Sequence, residues 1–160
     1  MFARYKVYRH KDGKSYFFRT RSGNTYFAYF TAFVLQDKYG SEINLLSFGF
    51  SCHLADKRKP QHYDQRIKNT IISIIEEYFT QEPRSALLFF CTNLDGKAHH
   101  RFYTFDRWFK ESSFKLEKFD TPKKSAEKDF YGSLLVKPDN PEKQKIMDAF
   151  YFTIDFWKLS

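Results

Sequence analysis

Cysteine is scarce in this 160-residue chain: Cys52 and Cys91 stand apart, outside any spaced framework. That excludes a disulfide scaffold and suits a reducing, cytoplasmic compartment. No stretch approaches the roughly 20 consecutive apolar residues of a membrane span, and Met1-Phe2-Ala3-Arg4 lacks the apolar core of a signal peptide. A cytoplasmic protein that does not enter a membrane is expected. Acidic residues are also in short supply, 19 Asp and Glu against 27 Lys and Arg, a formal charge of +8. Internal repeats, low-complexity tracts, a G-x-S-x-G elbow, a glycine-rich phosphate loop and a C-x-x-C pair are all missing. These gaps argue against a nucleotide-consuming or protease-like enzyme.

What is present is apolar mass. With 42% hydrophobic residues, including 20 Phe, 11 Tyr and 2 Trp, the chain has too much core material for disorder. Its length suits a single domain over 1–160. Arg4 to Tyr8 alternates, with Arg4, Lys6 and Tyr8 opposite Tyr5 and Val7, and reads as a half-exposed strand. Lys11-Asp12-Gly13 is a turn, Tyr16–Thr20 a second strand, and Ser22-Gly23-Asn24 a hairpin turn. Thr25–Leu35 is apolar at both parities, which predicts a central strand covered on both sides. Ile43–Phe50 is a fourth strand.

A helix is expected from Asp64, its N-cap, because Ile67, Ile71, Ile74, Ile75 and Tyr78 form one stripe. Arg66, Lys68, Asn69, Ser73 and Glu77 then face away, and Pro83 ends the element. Ala86–Cys91 reads as a buried strand and Asn93–Gly96 as a turn. A second helix, from about Lys97 to Glu111, carries Phe102, Phe105, Trp108 and Phe109, with an Asp106–Lys110 ion pair one turn apart. Phe114–Phe119 alternates, Asp120–Asp129 is a mobile connection, and Tyr131–Val136 closes the sheet. Asn140-Pro141 opens a last helix in which Ile146, Ala149, Phe150, Thr153, Ile154 and Trp157 keep the helical period. Strand stays open there, because Phe150, Phe152, Ile154 and Phe156 also alternate. The order β-β-β-β-α-β-α-β-β-α is an α+β plan, helices on a mostly antiparallel sheet.

Charge is distributed unevenly. Residues 1–40 hold eight Lys/Arg and two Asp/Glu, so six of the eight net charges lie in the first quarter. If the opening strands pair as a meander, Arg4, Lys6, Arg9, Lys11, Lys14, Arg19 and Arg21 converge on one sheet edge and attract polyanions. Neighbouring tyrosines are available for base stacking. Lysines and arginines on an edge strand also serve simply to prevent edge-to-edge pairing.

The second helix begins with Lys97, His99, His100 and Arg101 and continues to Arg107. Lys97, His100, Arg101 and Arg107 are candidate anion ligands at a helix start. Zinc is not expected: Cys52 and His53 are adjacent on a strand and point to opposite faces, and no paired ligand spacing occurs. No cofactor is implied.

The string Asp64-Gln65-Arg66-Ile67-Lys68-Asn69-Thr70-Ile71-Ile72, then Glu76-Glu77-Tyr78-Phe79, Leu87–Cys91, Asp95-Gly96, and Arg101 with Phe105-Asp106-Arg107-Trp108-Phe109, resembles an uncharacterised Bacteroidota family of small single-domain proteins. The resemblance runs nearly end to end, through Gly132 and Asp139-Asn140-Pro141. It implies one domain and a bacterial cytosolic origin, and it transfers no catalytic residue.

The expected function is a basic binding module for an anionic partner, a nucleic-acid backbone or an acidic protein surface. Two alternatives stand beside it. One is a small metal-independent nuclease or transferase using His99 or His100 and Arg101. The other is a protein-interaction component, such as a toxin–antitoxin or defence partner.

Overall fold

The computed structural model describes residues 3–91, 97–113, 115–122 and 131–158, with 157 and 158 as backbone only. Strands β1 (Tyr8–Arg9), β2 (Ser15–Arg19), β3 (Thr25–Gln36) and β4 (Glu42–His53) form an antiparallel meander. Helix α1 (Gln65–Gln81) crosses to β5 (Ala86–Cys91), which pairs parallel with β4. Helix α2 (Ala98–Glu111) leads to β6 (Glu117–Asp120) and β7 (Tyr131–Val136), and α3 (Lys143–Lys158) ends the described chain. The sheet runs β1-β2-β3-β4-β5-β7-β6, so the α+β plan holds. Tyr131–Val136 does not close the sheet, however: β7 lies inside and β6 forms the edge.

Helices cover both faces. On one, α1 and α2 bury Ile67, Ile71, Ile75, Phe105 and Trp108 against Phe18, Tyr26, Phe48, Phe50, Leu87 and Phe89. On the other, Ile146, Ala149, Phe150 and Ile154 of α3 meet Leu35, Leu45, Leu88, Leu134 and Val136. Helix therefore prevails over strand in the last element, because the 3.6-residue stripe finds an apolar sheet to cover. The Thr153 hydroxyl pins that helix to the end of β3, accepting from the Gln36 amide (3.0 Å) and donating to its carbonyl (3.1 Å).

Two expectations need correction. Thr25–Leu35 is not covered on both sides throughout, because Tyr29 and Val34 are each 43% exposed. Tyr26 and Ala28 face α1 and α2 whereas Leu35 faces α3, so the buried side of β3 changes along its length. Nor is Arg4–Val7 a strand. Its backbone follows α1 instead: the Tyr5 amide donates to Thr70 Oγ1 (2.8 Å) and Asn69 Nδ2 donates to the Ala3 carbonyl (2.9 Å). Asn69 is thus not turned wholly to solvent, and Lys68 reaches across to Glu111 at 3.0 Å. The predicted Asn93–Gly96 turn, Phe114, most of the 120–129 connection and the Trp157 side chain lie outside the described residues.

Candidate functional site

Helix α1 begins where expected: the Asp64 carboxylate accepts from the Ile67 amide at 2.8 Å, capping one of the unpaired N–H groups of the first turn. Its other oxygen accepts from the Tyr5 hydroxyl at 2.6 Å. Tyr5 is buried, stacked on Phe18 with centroids 5.8 Å apart, and the Arg66 guanidinium lies 4.1 Å from its ring centroid. Burial first, and then the bond to Asp64, raise the Tyr5 phenol above its ordinary pKa. This latch holds residues 3–7 along α1 and leaves Arg4 and Lys6 facing outward.

Between that segment, the β1–β2 hairpin and the C-terminal half of α1 lies a groove of about 610 Å³. The hollows around Lys115, Arg84 and Pro60 are about half as large, 300 to 320 Å³. Arg4, Lys6, Arg9 and Lys14 line one side of the groove. Tyr16, Phe30 and Tyr78 supply aromatic surface, Phe30 stacking on Tyr78 at 5.4 Å and meeting Tyr16 edge-on at 6.1 Å. Glu77 and Glu82 line the α1 side, so four cations face two carboxylates and the lining carries net +2. None of the four cations is ion-paired among the described residues. The Arg9 guanidinium is oriented by the Gly13 carbonyl, at 3.0 Å from Nη2, and by the ring of Tyr16.

The remaining first-quarter cations do not join this group. Lys11 is exposed in the β1–β2 turn and Arg21 in the β2–β3 turn. Arg19 alternates with Phe18 along β2 and so leaves on the opposite face of the sheet. Convergence is thus partial, four of seven. Sequence reasoning missed Tyr78, Gln81 and the two glutamates, because Glu77 belongs to the polar side of an amphipathic helix and no periodicity reports what lies opposite it.

The second predicted group is separate. Lys97 precedes α2, His100 stacks on Tyr63 at 6.0 Å, and the charge of half-buried Arg101 acts on Tyr63. Burial pushes the Tyr63 phenol up to about 12, with Cys52 adding to the rise and Arg101 opposing it. His99 instead meets Tyr103 and Tyr131, so the two adjacent imidazoles face different neighbours. Arg107 is exposed, and six positions along α2 separate it from Arg101 by about 120° around the axis. This cluster sits beside Tyr63, just before α1, whereas the groove follows α1 from Ser73 to its end. Cys52 faces the core with Tyr26 while His53 packs on Phe27 on the other side, and no group of three or more metal-ligating side chains occurs among the described residues.

A family model described as "Family of unknown function (DUF6169)" matches residues 63–151, more than half of the chain. The chain belongs to that family. The match does not run end to end: it spans α1 to the first half of α3 and leaves β1–β4 outside. In this DUF6169 member the segment matched to the family therefore supplies the acidic side of the groove, and residues 4–14, ahead of it, supply the cationic side. No curated protein and no solved structure matches the chain. No described helix is long and apolar enough to cross a membrane.

Proposed function

We propose that this DUF6169 protein is a small basic binding module that takes an anionic partner, a nucleic-acid backbone or an acidic protein surface, at the groove beside its N-terminal segment. One observation carries the reading: Arg4, Lys6, Arg9 and Lys14, from the N-terminal segment, β1 and the turn after it, meet at one groove, and among the described residues none is neutralised by a salt bridge. Cations gathered over a concave surface concentrate field and raise the local concentration of polyanions. The two free cysteines fit a cytoplasmic setting. The nuclease or transferase alternative gains no such observation, since His99 and His100 face different neighbours.

Filter retention of labelled duplex DNA and RNA, with polyglutamate as competitor, tests the proposal. With four phosphates neutralised, affinity should fall about a hundred-fold between roughly 50 and 200 mM salt. Reversing Arg4 and Lys6 to Glu should abolish retention while leaving the melting temperature near the parent value. Absence of affinity for any of these polyanions at low salt would refute the proposal.

A further inference from the structure

On the sheet face opposite the groove, α3 covers β5 and β7 and, of β1–β4, the end holding Leu35, Ile43 and Leu45. Beyond it the side chains of β1–β4 form ordered rows. Pairing sets Tyr8 opposite Phe17, Phe17 opposite Phe27 and Phe27 opposite Ser51, so three aromatic rings stand side by side across three strands. Their centroids are 5.3 and 6.3 Å apart, and the His53 imidazole continues the row 5.0 Å from Phe27. Tyr8 is 47% exposed.

Tyr29, two residues beyond Phe27, is placed differently. It pairs with Gly49, and a Cβ built on that glycine would fall 2.5 Å from Tyr29 Cε2 and 2.7 Å from its hydroxyl oxygen. The tyrosine ring therefore lies down across the β4 backbone. With 43% of the residue exposed, one π face is presented to solvent. A cation flanks the rings on the other side: Arg19 stands two residues after Phe17 along β2 and so leaves on the same face as the aromatic row. Lys6 Nζ is 5.3 Å from the Tyr8 ring centroid.

Resting on the anionic-partner reading, we propose that this face binds single-stranded nucleic acid, with a base stacked on Tyr29 and the phosphates led past Arg19. Aromatic rings on an open sheet flanked by a cation suit a strand that offers both π faces and phosphates. A duplex offers phosphates but keeps its base faces stacked internally. An acidic peptide satisfies the cation and leaves the rings without a planar partner. A second copy of the chain brings another +8 to a face already edged with positive charge.

The test is fluorescence anisotropy of the full chain with a labelled oligo(dT) and oligo(U) of about 15 nucleotides, against a duplex of equal length and polyglutamate as competitor. The single strands should bind more tightly than the duplex and resist polyglutamate. Tyr29→Ala should weaken single-strand binding about 5-fold or more, Tyr29→Trp should retain it, and Gly49→Ala, which displaces the ring, should follow Tyr29→Ala. Unchanged melting temperatures and Tyr29→Trp separate loss of stacking from loss of fold. Arg19→Gln, which lies outside the groove, should lower the salt slope by about 0.7. Equal affinity for duplex, displacement by polyglutamate, or Tyr29→Ala binding like the parent overturns this proposal while leaving the anionic-partner reading intact. Failure to bind any polyanion at low salt ends both.

Discussion

Lys118 is the most enclosed cation among the described ion pairs, its side chain 5% exposed between Asp106 at 2.6 Å and Asp120 at 2.5 Å, with Phe102 and Phe109 alongside. The Ser133 hydroxyl donates to the same Asp120 oxygen at 2.7 Å, so one network ties α2 to β6 and β7. Removing the ammonium leaves two carboxylates facing each other. Lys118→Ala should cost about 3 kcal/mol, the low end for a broken buried pair because Asp120 stays 43% exposed, and urea unfolding would measure it. Burial works to raise the Asp106 pKa, but the bonds and charges of Lys118 and Lys110 outweigh it and hold the carboxyl below its ordinary value. A depressed carboxyl pKa stabilises the fold fully above the unfolded value, near 3.9, and that contribution is lost as pH falls through the folded value. Asp106→Asn should therefore flatten the acid limb of the urea midpoint against pH. The Asp106–Lys110 half of this network, 2.9 Å in the structure, was legible from helical spacing; Lys118, twelve residues away on a strand, was not.

Among elements, α1 was the most readable and the N-terminal segment the least. The Ile67, Ile71, Ile74 and Ile75 stripe is buried as its period requires, and Asp64 caps it. Arg4, Lys6 and Tyr8 are exposed while Tyr5 is buried and Val7 half-buried, so the alternation was real. It reports which side is covered and not whether the covering element is a strand. Here the cover is a helix, through Thr70, Asn69 and Asp64. Asp64→Ala should remove about 1–2 kcal/mol of cap stabilisation and release Tyr5, while Asp64→Asn keeps an acceptor for the Ile67 amide, turns its NH2 donor toward the Tyr5 oxygen and loses less. Thr70→Val removes the acceptor of the Tyr5 amide together with the hydroxyl's own bond to the Arg66 carbonyl. Hydrogen exchange at that amide should accelerate in Asp64→Ala and Thr70→Val, and a rate equal to the parent's would show that the segment is held by other contacts.

At the scale of the molecule, one core joins the opening strands to the part matched by the family. Phe18, Tyr26, Phe48 and Phe50 share a cluster with Ile71, Phe89, Phe105 and Leu135, and β4–β5 pairing carries the sheet across the junction. Calorimetry should accordingly give a single transition whose van't Hoff and calorimetric enthalpies agree, as a cooperative unit requires. A fragment beginning at Tyr63 loses the β4 side of β5 and half of the apolar cover over α1 and α2. It should be insoluble, with β5 as an open edge. Recovery of that fragment as a folded monomer would show two independent units.

The amino-acid order alone determined the elements whose signal is local. The α1 and α2 stripes, the Asp64 cap, the Ala86–Cys91 and Tyr131–Val136 strands and the surplus of positive charge near the N-terminus all rest on period, capping chemistry and composition. Tertiary structure alone decided which elements became neighbours. It set β7 between β5 and β6, laid residues 3–7 on a helix, brought Glu77 and Glu82 opposite four cations, divided Arg19 from Arg9 by the thickness of a sheet, and gave Tyr29 a glycine to lie across. The physical reason is that periodicity reports only how much of each residue is covered. Which surface covers it depends on the shapes and charges of segments distant in the chain, and these meet only when the sheet closes around its two cores.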